Sequence, residues 1–348
     1  MSIRLSSVSK SFGAHPAVDG ISAEIESGTF FVVLGPSGCG KSTLLRCIAG
    51  LEPIDDGEIA LGDDVVANGH VFVPPEARDV GVVFQSYALW PHLSVSKNVS
   101  FPLETARLSK DAIAAKTKAC LETVELMPFK DRRPADLSGG QRQRVALARC
   151  LAQSAGTILM DEPLANLDPH LRSAMEDELG DFHRTSGSTT VFITHDQREA
   201  MALADKIALM WDGRFLQVDA PDVLYARPET EEVARFIGRS TIVDVEVTGR
   251  ANGNCRVRLG EAVFDVAGRT TTAGQKARLV IRPEHLRPCP PADGLEVWVT
   301  RATYRGGYWE THLAAEGLEG ELLINLPAKA APGDAMGVRL TDGWLLPG

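Results

Sequence analysis

A glycine-rich loop at residues 35–43, GPSGCGKST, constrains the fold of this chain more than any other stretch. It lies between FFVVL, an apolar run typical of a buried strand, and LLRCIAG, a run typical of a helix. Glycines allow backbone N–H groups to approach phosphate oxygens closely, and a helix N-terminus directs its positive dipole end at the same place. The sequence therefore predicts a strand–loop–helix unit that binds phosphate through its backbone.

The loop matches the pattern G-x-x-x-x-G-K-[ST], in which the lysine supplies charge for the β- and γ-phosphates of a nucleotide and the hydroxyl suits Mg²⁺. A chance match in a glycine-rich loop is the alternative, and the position between a strand and a helix argues against it. Because Cys39 lies in this loop near a helix N-terminus, we also expect a lowered thiol pKa. The predicted nucleotide-binding residues are Gly35, Ser37, Gly38, Cys39, Gly40, Lys41, Ser42 and Thr43.

Two acids follow a second apolar run, TILMDEP at residues 157–163. A phosphate loop needs a carboxylate on a neighbouring strand for its metal ion, and Asp161 is placed to hold Mg²⁺. Glu162 comes one residue later and is expected to orient or deprotonate a water at the γ-phosphate. Two solvated acids that end a strand are the alternative interpretation.

The pattern of apolar and polar residues changes near residues 227–240. Up to residue 237, short apolar runs at 30–34, 80–84, 157–160, 191–194 and 207–210 alternate with helix-like segments, which predicts an α/β cassette with a largely parallel sheet. From residue 238 to 348, apolar and polar residues alternate at period two, which predicts an all-β barrel domain.

Composition limits the classes of function. The formal net charge of −10 disfavours a broad basic face for nucleic acid. No apolar run approaches the roughly 18 residues that span a bilayer, and the N-terminus lacks a signal-peptide pattern, so we expect a soluble, intracellular protein. The six cysteines show no metal or disulfide spacing, which indicates free thiols.

The segment LSGGQRQRVALAR, residues 137–149, points to a family. A Ser-Gly-Gly turn that opens a basic helix is itself an anion-binding arrangement. LSGGQ resembles the signature motif of ATP-binding cassette (ABC) ATPases, and residues 1–237 then resemble the whole cassette, a P-loop NTPase with a mixed sheet core and a helical subdomain at about 88–155. The resemblance implies ATP and Mg²⁺ as ligands and ATP hydrolysis as the activity. The signature residues are Ser138, Gly139, Gly140 and Gln141.

Four more positions carry roles that the resemblance implies. Phe12 matches the aromatic that stacks on adenine, where many relatives have tyrosine. Gln85 matches the glutamine that reaches Mg²⁺ and the attacking water. Asp168 ends ANLD, a segment that couples two ATP sites, although Ala165 stands where serine is common. His195 matches the histidine that contacts the γ-phosphate. An ordinary packing aromatic and a structural histidine are the alternatives for Phe12 and His195.

One phosphate loop and one signature motif are present in the chain. In the family, each ATP lies between the phosphate loop of one copy and the signature of the other. The resemblance therefore implies a head-to-tail homodimer, in which Ser138, Gly139 and Gly140 complete the site built on the partner copy's phosphate loop.

The resemblance also implies a role in import. YALWPHLSVSKNVSFPL, residues 87–103, matches the groove that receives a membrane subunit. The β-rich tail, with IRPEHL at 281–286, resembles the oligonucleotide-binding-like regulatory domain of type I importers. We expect a peripheral subunit on the cytoplasmic face of the inner membrane, bound to two transmembrane permease subunits and served indirectly by a substrate-binding protein. YALWPHLSV and YRGG resemble polyamine and ferric-iron importers.

Two rival functions stay open at this point. A soluble ABC ATPase that acts on nucleic acid or ribosomes usually has two cassettes or a long coiled-coil insertion, and this chain has neither pattern. An export cassette would not carry the fused β-barrel. We therefore expect no nucleic-acid partner.

Overall fold

The computed structural model describes residues 1–153, 155–165, 169–251, 254–268 and 274–346. The chain divides into two compact units, Met1–Pro221 and Asp222–Gly348. The end of the cassette that the sequence predicts, at residue 237, concerns the functional domains and is taken up below as a proposal.

The first unit combines strands and helices in alternation. Its strands are β1 (Ile3–Phe12), β2 (His15–Ile25), β3 (Phe30–Leu34), β4 (Asp56–Leu61), β5 (Asp64–Ala67), β6 (Val80–Val83), β7 (Thr157–Asp161), β8 (Thr189–Thr194), β9 (Lys206–Trp211) and β10 (Arg214–Asp219). Its helices are α1 (Lys41–Ala49), α2 (Val95–Thr105), α3 (Lys110–Thr123), α4 (Gly139–Gln153), α5 (Pro169–Ser186) and α6 (Gln197–Leu203).

A six-stranded sheet in the order β10–β9–β3–β8–β7–β6 positions the site. All neighbours are parallel except β10, which runs antiparallel to β9. Every residue of β3 is buried, as expected for a parallel strand covered on both faces. Because β3, β8 and β7 are parallel neighbours, the segments that follow Leu34, Thr194 and Asp161 leave the sheet at the same edge. The five apolar runs predicted as strands are β3 and β6–β9.

A second, antiparallel sheet in the order β2–β1–β4–β5 was not among the strands predicted from the sequence. Its inward residues share one hydrophobic core with α1 and β3, which includes Ile3, Ile21, Ile48 and Phe31. This sheet encloses α1 and so supports the loop that precedes it.

Helices α2, α3 and α4 form a separate helical layer with its own core, which contains Val99, Leu121 and Val145. The side chains of Ser94 and Ser109 accept hydrogen bonds from the third residue of α2 and of α3, and so cap both helices. These helices lie within the predicted helical subdomain, and the predicted P-loop cassette fold with its helical part is confirmed.

The second unit is dominated by β-structure after two short helices. Its helices are α7 (Pro221–Ala226) and α8 (Glu231–Phe236), and its strands are β11 (Thr241–Ala251), β12 (Asn254–Leu259), β13 (Ala262–Gly268), β14 (Lys276–Ile281), β15 (Leu286–Cys289), β16 (Leu295–Tyr304), β17 (Trp309–Ala314), β18 (Leu322–Leu326), β19 (Ala335–Leu340) and β20 (Trp344–Leu345).

The strands of the second unit form a closed barrel, β11–β12–β13–β20–β14, and a five-stranded sheet, β15–β19–β16–β17–β18. Both contribute to one apolar core that contains Val257, Leu279, Leu313 and Ile324. In β12, exposed and buried residues alternate along the strand, as the period-two pattern predicts. The predicted all-β second domain is therefore confirmed. Within the described residues, no helix is both long enough and apolar enough to cross a membrane.

Candidate active site

The glycine-rich loop connects β3 to α1 and has backbone packed against it. A Cβ atom on Gly35 would lie 2.2 Å from the carbonyl oxygen of Met210, and one on Gly40 would lie 1.8 Å from that of Ala17. Gly40 also has a φ of 107°, in the left-handed region that other residues disfavour. Glycine is therefore required at both positions, and the loop presents bare backbone at the N-terminus of α1.

Lys41 is buried and lies folded over the loop. Its Nζ donates to the carbonyl oxygens of Gly35 and Pro36 over 2.9 and 2.8 Å, and lies 3.9 Å from Sγ of Cys39. The loop backbone thus holds an ammonium group, a compact point charge with three donors, beside the backbone of the phosphate loop.

Ser42 and Asp161 bring a hydroxyl and a carboxylate together. Ser42 lies in the first turn of α1 and its Oγ donates to Oδ1 of Asp161, the last residue of β7, over 2.8 Å. Oxygen ligands of this kind, with phosphate oxygens, are those that Mg²⁺ prefers, so the residues present fit the ion. Among the described residues, no group of three or more His, Cys, Asp or Glu side chains is placed to hold a metal ion.

Glu162 and His195 face each other where β7 and β8 end. The backbone of Glu162 adopts a φ of 45°, unusual for a residue with a side chain, and its N–H donates to the carbonyl of Ile193 over 3.1 Å. Nδ1 of His195 lies 3.2 Å from Oε1 of Glu162. The His195 side chain is half exposed, so it can meet a ligand from solvent while it contacts the carboxylate.

One cleft of about 320 Å³ at the edge of the six-stranded sheet is lined by Lys41, Ser42, Asp161 and Glu162. His195 is not part of this lining but contacts Glu162. The cleft brings together residues that lie more than a hundred positions apart in the chain, which only the parallel arrangement of β3, β7 and β8 makes possible. Its lining residues are Ala17, Ser37, Gly38, Gly40, Lys41, Ser42, Thr43, Gln85, Asp161 and Glu162. Ala17 is the lining residue for which the sequence carried no signal.

Other predicted site residues lie outside this cleft. Phe12, at the end of β1, is half exposed, and Nζ of Lys10 lies 5.5 Å from its ring centre. Ser138 and Gln141 of the signature segment form a capping box at the start of α4. The N–H of Ser138 donates to Oε1 of Gln141 over 3.0 Å, and the N–H of Gln141 donates to Oγ of Ser138 over 3.3 Å. Asp168 lies outside the described residues. The predicted residues that do not line the cleft in this protomer are Phe12, Gly35, Cys39, Ser138, Gly139, Gly140, Gln141 and His195.

The prediction that the Cys39 thiol has a lowered pKa is wrong. Cys39 is buried, and burial raises the pKa of its thiol above the ordinary value, although Lys41 acts in the opposite direction. Desolvation of a thiolate outweighs the helix N-terminus and the lysine here, because the sulfur is shielded from water.

Two arginines near the site were not predicted. Arg149, on α4, donates to the carbonyl oxygens of Tyr87 and Ala88 over 3.1 and 2.7 Å. Both acceptor residues have positive φ, of 62° and 47°, in the loop that follows Gln85. Arg172, on α5, forms ion pairs next to His195. A charged residue inside an apolar helix pattern is the signal that could have identified Arg149.

Comparison with known proteins agrees with this geometry. The family described as ABC transporter matches residues 18–165, and the TOBE domain family matches residues 279–346. A solved dimeric structure of the ATP-binding cassette MJ0796, in a post-hydrolysis state bound to ADP and Pi, aligns with a TM-score of 0.56 at 31% identity and covers 63% of this chain and 98% of that chain.

Three curated relatives are similar in sequence to this chain over most of its length. The sn-glycerol-3-phosphate import ATP-binding protein UgpC of Paracoccus denitrificans is 42% identical over 327 residues, 93% of this chain and 90% of the relative. The spermidine/putrescine import ATP-binding protein PotA 2 of Pseudomonas aeruginosa is 42% identical over 342 residues, 96% of this chain and 92% of the relative. The maltose/maltodextrin import ATP-binding protein MalK of Shigella flexneri is 44% identical over 299 residues, 84% of this chain and 80% of the relative.

The predicted family, fold and enzyme class are thereby confirmed, and the prediction of ATP and Mg²⁺ with them. The chain belongs to the import ATP-binding subunits of ABC transporters, ATPases in which an ABC cassette is followed by a TOBE domain.

Proposed function

We propose that this chain powers the uptake of a small solute as a head-to-tail homodimer bound to two transmembrane permease subunits at the cytoplasmic face of the inner membrane. One observation carries the proposal. The cleft gathers the phosphate loop, Gln85, Asp161 and Glu162, whereas the signature segment lies outside it. A second copy is then needed to bring Ser138 to the nucleotide, and closure of two copies around ATP can be transmitted to the permeases.

Residue roles follow from positions in the cleft. Lys41 and the loop amides bind the phosphates, and Ser42, Asp161 and Gln85 hold Mg²⁺. When bound, the ion neutralises charge on the β- and γ-phosphate oxygens. Glu162 accepts the proton of the attacking water at its carboxylate, and His195 orients that carboxylate from 3.2 Å and reaches the γ-phosphate. In this proposal Phe12 stacks on the adenine.

The role of Glu162 is tested by Glu162→Gln, which keeps size and hydrogen bonding but removes the base. We expect MgATP affinity to stay within about threefold while steady-state hydrolysis falls at least about a hundredfold, as loss of a general base predicts. Asp181→Asn, at an exposed carboxylate of α5, is the matched control and should leave both unchanged. Near-normal turnover in Glu162→Gln would show that the base is another group.

The dimer is tested in the Glu162→Gln background, where bound ATP persists. We expect MgATP to drive dimerisation in light scattering, and Ser138→Arg to abolish the dimer while each chain still binds nucleotide. Ser27→Arg, at an exposed serine between β2 and β3, should dimerise normally. A dimer that forms in spite of Ser138→Arg contradicts the head-to-tail arrangement. Asp168, on the segment after Ala165, is proposed to couple the two ATP sites.

We further propose residues 1–237 as the ATPase domain, residues 238–348 as a regulatory domain, and a polyamine or ferric iron as the cargo that a substrate-binding protein delivers. The PotA 2 relative, named for spermidine and putrescine import, supports the polyamine. The test is ATPase stimulation in the reconstituted complex with the binding protein and spermidine, ferric iron, maltose or glycerol 3-phosphate. Stimulation by maltose or glycerol 3-phosphate alone would overturn this choice.

A further inference from the structure

The turn that carries His195 is fixed from both sides by polar side chains. Oγ1 of Thr194 donates to Oε2 of Glu199 over 2.5 Å, and the N–H of Asp196 donates to Oγ1 of Thr194 over 2.9 Å. Asp196 then caps α6, because its side chain accepts from the N–H of Arg198 over 2.8 Å. Both chain neighbours of His195 are thus held without use of the imidazole.

Glu199 is a buried acid to which the proposed hydrolysis mechanism assigns no role. Its side chain is 4% exposed. Burial of a carboxylate lowers the stability of the fold unless the group is paired and hydrogen-bonded, so Glu199 requires a local partner. In an ordinary capping box a glutamate at this place reaches back to the N–H of the capping residue, whereas here it takes the hydroxyl of Thr194 instead.

Arg172 supplies the opposite charge from a different element. Its Nη1 donates to Oδ2 of Asp196 over 3.1 Å, and its Nε lies 3.6 Å from Oε1 of Glu199. Arg172 lies in the first turns of α5, the helix that begins after the segment in which Asp168 occurs. We name these four residues the turn cluster: Arg172, Thr194, Asp196 and Glu199.

The turn cluster connects to the reacting groups through backbone. His195 lies between Thr194 and Asp196 in the chain, and its Nδ1 is 3.2 Å from Glu162. Glu162 is in turn tied to β8 by its N–H bond to the carbonyl of Ile193, next to Thr194. A shift of the turn by 1 Å would therefore change the distance between the imidazole and the carboxylate, to which catalytic rates are sensitive.

We propose that Arg172, Thr194 and Glu199 are positioning residues that hold His195 against Glu162, so that ATP hydrolysis depends on the turn cluster. This inference rests on the proposed roles of Glu162 and His195. A cluster that serves only to stabilise α6 would lower the stability of the fold and leave the rate constant of the folded protein unchanged.

The test compares Thr194→Val, which is isosteric and lacks the hydroxyl, with Thr194→Ser, which keeps it. In the full-length chain we expect Thr194→Val and Glu199→Gln to lower kcat about tenfold with MgATP affinity changed less than about twofold, and Thr194→Ser to restore most of kcat. Asp205→Asn weakens a partly buried hydrogen bond from the N–H of Phe30, away from the cluster, and should lower the melting temperature without lowering kcat.

Single-turnover hydrolysis in a His195→Ala background isolates the positioning role. There Glu199→Gln should have no further effect, because the group that it positions is absent. An equal fall in both backgrounds, or an unchanged kcat in Thr194→Val, overturns the inference. If Glu162→Gln abolishes turnover in the same assay while Glu199→Gln does not lower it, the turn cluster has no such role and the proposed role of Glu162 stands; if neither lowers it, both are wrong.

Discussion

Arg282, in the IRPEHL stretch of the second unit, is 1% exposed and holds the chain that precedes the barrel. Its Nη2 donates to the carbonyl of Tyr225 over 2.8 Å, and its Nη1 contacts those of Ala234, Ile237 and Arg239. The guanidinium also lies 4.2 Å from the centre of the Tyr225 ring. Burial lowers the pKa of Arg282. Because a guanidinium stays charged in proteins, the charge is held within a shell of carbonyl dipoles.

Replacement of Arg282 by alanine leaves these carbonyls without their donor. Each hydrogen bond from a charged group contributes about 1.5–3 kcal/mol, and since the bonds share one side chain they are not additive. We expect Arg282→Ala to destabilise the second unit by about 3–5 kcal/mol, because several buried carbonyls lose their donor at about 1–3 kcal/mol each, less than additively. At about 4 °C per kcal/mol for a unit of this size, its melting temperature should fall by roughly 10–20 °C.

The assay is differential scanning calorimetry of the full chain with and without MgATP, in which the transition that MgATP leaves unshifted reports the second unit. Arg282→Lys keeps the charge but lacks the planar fork, and should lose about half as much stability. Arg287→Ala, at an exposed arginine of β15, is the control and should change the transition by less than about 0.5 kcal/mol. If Arg282→Ala costs less than about 1 kcal/mol, or shifts the MgATP-sensitive transition, the reasoning from buried carbonyls is refuted.

Three further predictions concern the first unit. Gly40→Ala should abolish MgATP binding in equilibrium dialysis, because its Cβ would lie 1.8 Å from the carbonyl oxygen of Ala17; an affinity within about twofold of wild type would contradict the required close approach. Arg149→Ala should lower kcat with a smaller effect on MgATP affinity, because Tyr87 and Ala88, two residues with positive φ that follow Gln85, lose their hydrogen bonds to the guanidinium. If Arg149→Ala, Arg149→Lys and wild type have equal kcat, the guanidinium does not hold the loop. Burial lowers the pKa of His183 below its ordinary 6.5. The neutral histidine therefore contributes stability that is present above pH 6.5 and is lost as the pH falls through the pKa of the folded state. Between pH 7.5 and 5.5 the melting temperature of His183→Gln should fall less than that of wild type, and equal falls would reject the assignment.

The phosphate loop could be predicted because its requirements are local. The loop needs glycines at fixed offsets between a strand and a helix, and all of that lies within residues 30–50. The five buried runs of the parallel sheet could be predicted for the same reason, since a strand covered on both faces is apolar along its length. The order of those strands in the sheet could not be predicted, because apolar runs of similar composition do not indicate which strands pair with one another.

The buried charges of Glu199 and Arg282, and the partly buried charge of Arg172, could not be predicted from composition. Charged residues are almost always exposed unless a partner is present, and the partners lie on other elements. Cys39 shows the same limit, since its place near a helix N-terminus indicated a reactive thiol and its burial decided against one.

The amino-acid sequence by itself determined the chemistry available to this protein: a backbone loop for phosphate, a lysine, a hydroxyl and two adjacent carboxylates, each defined by residues that are close in the chain. Only the tertiary structure decided which of these groups meet. Parallel pairing of β3 with β8, and of β8 with β7, brings the loop, Asp161 and His195 to one sheet edge, and packing against Ala17 and Met210 decides where glycine is required. The physical reason is that hydrogen-bonded registers and close packing act between distant segments, whereas a motif acts within one.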